Sequence, residues 1–223
     1  MKKYELTSET KVINGVELHR IKALKSFGSV EKGDLGGWIE SEINLSQSGN
    51  AWVGGNAKVC ENATVRGNAK VRGNAKVSGN ATVSGYAEVC GNAVVSENAT
   101  VGGYVVVSGN ALVYENATVY ENATVCENAT VRENAVVSGN AEVRGNAKVC
   151  ETADYIVFKN WWSSGRYFTW TRSNNKWKVG CFYGSGEELI AKAYKDSEKS
   201  GREYERVVKY VESILKEENN DDE

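Results

Sequence analysis

The chain of 223 residues carries 27 basic and 29 acidic side chains, which leaves a formal net charge of −2. A balanced charge gives no general attraction to nucleic acid or to anionic lipid, so we expect neither nucleic acid nor a membrane among the partners. The first residues carry no apolar signal segment, and no run is long enough to cross a bilayer. We therefore expect a cytoplasmic protein.

Residues 1–48 are expected to form an N-terminal β cap for the region that follows. Ile13-Asn14-Gly15-Val16 is typical of a β-hairpin, because Asn-Gly favours a tight turn between two strands. Trp38 is a candidate lid on the adjoining core. The single histidine, His19, lies in this segment, and we expect it to have a structural role.

A six-residue repeat with the consensus [G/E]-N-A-x-V-x runs without interruption from residue 49 to residue 150. Val occupies its position in every hexad, Ala is replaced only by Val105, and Asn is replaced only by Tyr86 and Tyr104. Ala and Val, two residues apart, point to the same side of a short strand. We expect Asn to turn the chain at each corner, because it tolerates the left-handed backbone region. Three hexads then form one coil, and about six coils stack into a parallel β-helix over residues 49–153.

Five cysteines occur without a CxxC pair, and four of them share one position of the repeat. On an 18-residue coil, those that share a column lie too many coils apart to form disulfides. We expect free thiols, no metal site and no cofactor, since the one histidine lies outside the repeat.

Reading the repeat every 18 residues gives the columns on each face of the helix. An apolar belt around the middle coils is a candidate oligomer contact, with scattered exposure of β-forming residues as the alternative. Its members are Val94, Val106, Leu112 and Tyr114, together with Tyr86 and Tyr104 on one corner. A glutamate column along another corner is explained by ordinary solvation, with a nucleic-acid decoy as the alternative. It comprises Glu61, Glu97, Glu115, Glu133 and Glu151.

The composition changes after Cys150, where residues 154–217 are predicted to form a small α+β domain of three strands and two helices (βββαα). The strands are predicted at 155–158, 166–172 and 176–182. One helix begins after Ser185, and a second has its apolar face within 204–215. Residues 218–223 form an acidic tail.

Four of the six tryptophans lie in this domain, among interleaved cations. Trp170 and Trp177 alternate on strands and are predicted to lie in the core, because so small a domain needs large side chains. Trp161 and Trp162 lie in a Gly/Ser loop, where adjacent side chains cannot both face inward. The candidate ligand or partner site is Trp161, Trp162, Arg166, Arg172 and Lys176, since aromatics beside cations can stack a base.

The hexads resemble those of the hexapeptide-repeat superfamily, a resemblance that implies a left-handed β-helix and commonly a trimer. The whole chain also resembles repeat proteins encoded by phages and prophages of Gram-positive bacteria, often labelled as transferases. That resemblance rests on Gly33-Asp34-Leu35-Gly36-Gly37-Trp38-Ile39-Glu40, on Asn44-Leu45-Ser46 before Gly49-Asn50-Ala51-Trp52-Val53, and on Gly180-Cys181-Phe182 before a helix start.

Acyltransferases of the superfamily use a histidine on the β-helix as general base, and this sequence has none in any hexad. We therefore expect no catalytic residues and a non-enzymatic scaffold that carries a C-terminal binding domain. The alternative is a phage counter-defence protein that sequesters a nucleotide-like signal or blocks a host nuclease or other defence protein. A column of four threonines is too short to favour ice binding.

Overall fold

The computed structural model describes residues 2–221 and consists of two compact units, Met1–Asp154 and Tyr155–Glu223. The first unit contains a parallel β-solenoid of about six turns, and the second contains an antiparallel sheet with two helices. This is the mainly β fold class that the hexads predict.

The solenoid is built from two-residue strands, one in each hexad, at the x-V position of the consensus. They are β4 (Trp52–Val53), β5 (Lys58–Val59), β6 (Thr64–Val65), β7 (Lys70–Val71), β8 (Lys76–Val77), β9 (Thr82–Val83), β10 (Glu88–Val89), β11 (Val94–Val95), β12 (Thr100–Val101), β13 (Val106–Val107), β14 (Leu112–Val113), β15 (Thr118–Val119), β16 (Thr124–Val125), β17 (Thr130–Val131), β18 (Val136–Val137), β19 (Glu142–Val143) and β20 (Lys148–Val149).

Each strand pairs in parallel with the strand 18 residues away, so three hexads make one coil. Thr100 pairs with Thr118, for example, and Val106 with Thr124. This register produces a six-stranded sheet from β4 to β19, a five-stranded sheet from β6 to β18, and a run from β5 to β20 within a nine-stranded sheet. The Val of every hexad, and the Ala two residues before it, is fully buried in one continuous core.

The corners differ from the sequence prediction, because the left-handed residue is not Asn. The first residue of every hexad, Gly or Glu, has a φ between +57° and +79°, whereas no hexad Asn has a positive φ. Four of the corner Glu side chains (Glu61, Glu115, Glu121 and Glu127) compensate for the strain by accepting a backbone hydrogen bond from the next coil. Glu61 Oε2 accepts from Gly79 N at 2.6 Å, and Glu115 Oε2 accepts from Glu133 N at 2.6 Å. Two members of the glutamate column, Glu61 and Glu115, are therefore part of the coil-to-coil bonding.

The hexad asparagines form ladders that run from coil to coil. Along one corner, the Nδ2 atom of Asn80 donates to Oδ1 of Asn98 at 2.9 Å, and the same bond recurs from Asn62 to Asn134. A second corner carries an equivalent ladder from Asn56 to Asn128. Asn thus gains a repeated amide–amide hydrogen bond at each step, and the neighbouring Gly or Glu makes the turn.

The N-terminal cap extends the nine-stranded sheet through β1 (Tyr4–Ile13), β2 (Val16–Ala23) and β3 (Leu35–Ile39). The predicted hairpin is confirmed, since Ile13 pairs with Val16 and both Asn14 and Gly15 have positive φ. β3 pairs in parallel with β5 and antiparallel with β2. The hairpin therefore covers a strand edge of the first coil that would otherwise be open to another chain.

Trp38 is not the lid on the core that the sequence predicts. Its neighbour Ile39 is fully buried and pairs with Val59, so Trp38 points to the other side of β3. There it forms a small cluster with Leu18 and Cys60, and the Nζ atom of Lys11 lies 3.8 Å from the centre of its ring.

A buried lysine secures the start of the cap. Lys3 is completely buried, and its ammonium donates to the carbonyl oxygen of Ala51 at 2.8 Å. Burial is the main reason that the pKa of Lys3 falls to about 8, and the nearby positive charge of Lys25 lowers it further. The five cysteines of the chain are free thiols.

The second unit has four strands where three are predicted: β21 (Tyr155–Lys159), β22 (Tyr167–Thr171), β23 (Lys176–Val179) and β24 (Phe182–Gly184). The third predicted strand, 176–182, is split by a turn at Gly180, which has a φ of +53°. The helices are α1 (Gly186–Asp196), capped by Ser185 and Glu188, and α2 (Glu198–Asp221). Much of the predicted acidic tail continues α2, and residues 222–223 lie outside the described residues.

Two glycine corners test how closely the coils approach. We expect Gly85→Ala to lower the free energy of unfolding by about 1–3 kcal/mol more than Gly55→Ala. Both changes force an L-residue into the left-handed region, at about 1–2 kcal/mol. Of the two, Gly85 is the more crowded: a new Cβ there would lie 2.7 Å from a backbone atom of the next coil, whereas at Gly55 the nearest such atom would be 3.4 Å away. Urea denaturation followed by far-UV circular dichroism measures both. Equal losses would mean that coil spacing does not limit these corners.

Candidate functional site

The Trp loop (residues 160–165) joins β21 to β22 in the second unit, and Asn160 fixes its conformation. The buried Oδ1 of Asn160 accepts from the backbone N of Ser163 at 3.0 Å and from its Oγ at 2.9 Å. Its Nδ2 donates to the hydroxyl of Tyr204 at 2.9 Å. Backbone bonds from Asn160 N to Arg166 O and from Gly165 N to Asn160 O close the loop. The loop is therefore held in one shape by its own hydrogen bonds and by α2.

The two adjacent tryptophans of this loop face opposite ways. Trp162 is 8% exposed and packs edge-on against Tyr204, with ring centres 5.0 Å apart, and against Phe168. Trp161 is 75% exposed and touches Trp162 edge-on. Among the described residues, the buried indole N–H of Trp162 has no hydrogen-bond acceptor. Trp162 is thus a core residue, and only Trp161 of the pair is displayed to solvent.

Trp170 and Trp177 lie in the core, as the strand alternation predicts. They are opposite each other on β22 and β23 and are almost completely buried. The indole nitrogen of Trp170 donates to Asn175 Oδ1 at 2.8 Å, so its polar atom is satisfied at the turn between the two strands.

The structure does not bring the five predicted site residues together. Arg166 precedes β22, whereas Arg172 and Lys176 flank the turn at its far end. Five residues of extended strand separate the two groups by about 17 Å. With Trp162 in the core, the predicted site reduces to Trp161 and Arg166 at one end of the sheet.

Two residues that the sequence prediction omitted complete this end of the sheet. Lys159 and Tyr167 form the last pair of β21 and β22, both are exposed, and Lys159 Nζ lies 5.8 Å from the centre of the Tyr167 ring. We name the set Lys159, Trp161, Arg166 and Tyr167 the loop-end surface. Lys159 and Tyr167 flank the loop in the sequence, but only the strand register shows that they face each other.

A cavity of about 320 Å³ opens beside the Trp loop. Ser163, Ser164 and Arg166 of the loop region line one side, and Lys192 and Asp196 of α1 line another. Tyr204 contributes from α2, and its burial is the main reason that the pKa of its hydroxyl is raised. The hydroxyl therefore stays protonated near neutral pH.

A wider groove of about 580 Å³ lies in the first unit, between residues 24–34 and the first coils. Trp52, Lys70, Arg72 and Glu88 contribute to its wall, and Arg72 forms an ion pair with Glu88. The exposed positions of the hexads supply these side chains. The segment that closes the groove lies outside the hexads.

The predicted apolar belt separates into two groups. Val94 and Leu112 are neighbours in the nine-stranded sheet, and Tyr114 follows that sheet at the next corner. Tyr86 and Tyr104 lie on the corner between the five-stranded and six-stranded sheets, and Val106 lies on the adjoining six-stranded face. Triangular coils place that corner opposite the nine-stranded face.

The tyrosine corner (Tyr86, Tyr104 and Tyr120) is the more exposed of the two groups. The rings of Tyr86 and Tyr104 stack with centres 5.0 Å apart and planes within 3° of parallel. Tyr104 is 64% exposed, against 38% for Leu112 of the other group. Tyr120 is also exposed, although the predicted belt did not include it.

Comparison with known proteins relates the chain to solenoids. Residues 75–89 and 107–121 match the family model described as YdcK Beta solenoid repeat. This chain is a β-solenoid repeat protein. None of the curated proteins matches it. Within residues 2–221 no helix is long and apolar enough to span a membrane, and no group of three or more His, Cys, Asp or Glu residues is placed to hold a metal ion.

The two tryptophans of the loop predict opposite effects on stability. Trp162→Ala should destabilise the second unit by about 3–5 kcal/mol, because it empties a core position. Trp161→Ala should change stability by less than about 1 kcal/mol, since the side chain is mostly in solvent. Hydrogen-exchange mass spectrometry of the amides in residues 155–217 reports on this unit alone. Similar loss of protection in both variants would contradict the assignment of Trp162 to the core.

Proposed function

We propose that this chain is a non-enzymatic β-solenoid scaffold whose C-terminal unit binds another macromolecule through the loop-end surface. The observation that carries the proposal is the 75% exposure of Trp161 in a loop that Asn160 holds in place. A large aromatic side chain on a preformed loop loses little conformational freedom on binding, and tryptophan is among the residues that contribute most to binding energy.

The chemistry of the solenoid supports a non-enzymatic role. No hexad contains a histidine, and His19 lies in β2 of the cap, opposite Thr10 and Ile39. A general base contributes typically about 10²–10⁴-fold to acyl transfer. Four of the corner carboxylates, those of Glu61, Glu115, Glu121 and Glu127, are engaged in coil-to-coil bonds. We therefore disfavour an acyltransferase.

We further infer that the solenoid is a left-handed member of the hexapeptide-repeat superfamily, from a phage or prophage and active in the host cytoplasm. The unbroken [G/E]-N-A-x-V-x consensus and the motif at residues 33–40 support this inference. The family model that matches residues 75–89 and 107–121 is consistent with it at the level of the repeat.

We also propose that the scaffold is a homotrimer that uses the tyrosine corner as its contact. At this corner Tyr replaces Asn in two consecutive coils, so the asparagine ladder is interrupted and two stacked rings are exposed instead. Exposed aromatic clusters of this kind are typical of protein–protein contacts. Three copies of the C-terminal unit would then bind a multivalent target with higher avidity.

A charge placed in the tyrosine corner should dissociate the trimer. We expect Tyr104→Glu to shift the mass measured by light scattering from three times 24.3 kDa to 24.3 kDa. The reason is that a buried, unpaired carboxylate costs several kcal/mol at an interface. Leu112→Glu, on the nine-stranded face, is the matched control and should remain trimeric. A monomeric wild type, or a trimeric Tyr104→Glu, would contradict the proposal.

A second candidate is a phage counter-defence protein that sequesters a nucleotide-like signal or blocks a host defence protein. The charge distribution favours it, because residues 155–186 contain five cations and no acidic residue. Trp161 and Arg166 together offer a stacking surface and a phosphate-binding group. An upward thermal shift with nucleotides, lost in Trp161→Ala, would support this function over that of a scaffold.

The main proposal is tested by partner recovery from cells. We expect the tagged wild-type protein to co-purify with a specific protein that mass spectrometry identifies, and Trp161→Ala to lose about 90% or more of it. Tyr210→Ala removes an exposed aromatic from α2 in the same unit and should retain the partner. Equal recovery by wild type and Trp161→Ala would remove the loop-end surface from consideration.

A further inference from the structure

The hydrogen bonds of Asn160 determine what the hydroxyl of Tyr204 can do. A backbone N–H is always a donor, so the atom of Asn160 that meets Ser163 N must be Oδ1. The amide orientation is thereby fixed, and Nδ2 is the atom that faces Tyr204. Because Nδ2 can only donate, the hydroxyl accepts there and keeps its own hydrogen to donate elsewhere. Among the described residues, no acceptor for that hydrogen is assigned.

Tyr204 is more than nine-tenths buried, and both it and Asn160 line the 320 Å³ cavity. The hydroxyl hydrogen of Tyr204, which has no acceptor among the described residues, is therefore at the cavity wall. Burial is the main reason that the pKa of this phenol is raised, which keeps the hydrogen in place near neutral pH. A ligand that accepts a hydrogen bond would satisfy it.

The rest of the lining contains both apolar and charged side chains. Val179, Phe182, Leu189 and Ala193 supply the apolar part. Two cations, Arg166 and Lys192, and one carboxylate, Asp196, also line the cavity. Lys192 and Asp196 are one turn apart on α1, so they partly neutralise each other. The resulting charge of the cavity, two positive and one negative, is +1.

We propose that this cavity binds a small monocarboxylate with an apolar body. The carboxylate accepts from the Tyr204 hydroxyl and pairs with Arg166, while the apolar body packs on Leu189 and Phe182. A charge of −1 matches the cavity, whereas a phosphate monoester brings a charge of about −1.5 to −2. The volume lies at the lower end of the range for ligand sites, about 300–1,000 Å³, which favours a molecule smaller than a nucleotide. Arg166 belongs both to this site and to the loop-end surface, whereas Trp161 does not line the cavity.

Calorimetric titration of the full chain with phenylacetate tests the proposal. We expect saturable binding with a Kd of about 0.1–1 mM, and weaker binding by about 10-fold or more in Arg166→Gln, where a charge-assisted hydrogen bond is lost. Phenylacetamide has the same shape without the charge and should bind at least about 10-fold more weakly. Tyr204→Phe should also weaken binding, and its fold is checked by circular dichroism because Asn160 loses a partner.

Lys192→Gln and Lys195→Gln form a matched pair, because both remove one charge from α1 and only Lys192 lines the cavity. The first should weaken phenylacetate binding and the second should not. Trp161→Ala should bind phenylacetate like the wild type, because Trp161 does not line the cavity, and this separates binding in the cavity from partner binding through Trp161. The proposal is overturned if phenylacetate gives no saturable heat up to about 10 mM, if Arg166→Gln and Lys192→Gln bind normally, or if phenylacetamide, inorganic phosphate or AMP binds more tightly.

Discussion

The left-handed corner at the first residue of each hexad is the constraint on which the solenoid depends. A positive φ at that residue turns the chain, and repeating the turn every six residues brings residue i over residue i+18. Gly adopts the conformation without a Cβ penalty, and Glu offsets the penalty by accepting a backbone hydrogen bond from the next coil. With the corner fixed, the Val and Ala of every hexad are placed in one core, and the residues between them are left free to vary.

This arrangement explains why departures from the consensus are informative. An Asn-to-Tyr replacement leaves the corner geometry intact, because Asn does not make the turn, but it ends the amide ladder at that corner. Tyr86 and Tyr104 replace amide bonds with a stacked pair of exposed rings. Val105, by contrast, replaces Ala inside the core and is fully buried, so it changes packing without changing the surface. The same consensus thus separates positions that serve the fold from positions that present a surface.

The sequence was sufficient for the coil, the hairpin at Asn14-Gly15 and the burial of Trp170 and Trp177, because each follows from a local period or a turn preference. It was insufficient where the result depends on contacts distant in sequence. Gly or Glu, and not Asn, adopts the left-handed conformation. The sequence could not show this, because the Asn ladder and the hydrogen bond to Glu both form only with the neighbouring coil. Trp162 entered the core because Tyr204 and Phe168 form its pocket. The predicted cation cluster failed for a geometric reason: Arg166 and Arg172 lie at opposite ends of one strand.

Asn160 connects the features of the second unit that bear on function. One buried side chain donates to Tyr204, accepts twice from Ser163, and so sets both the shape of the Trp loop and the direction of the Tyr204 hydroxyl. The loop shape keeps Trp161 in solvent while Trp162 packs inward, and the hydroxyl direction leaves a donor at the cavity wall. The same three hydrogen bonds of Asn160 therefore support both the exposed surface at Trp161 and the polar cavity. Trp161 takes part in none of these bonds, so the surface can be altered at Trp161 without disturbing the cavity.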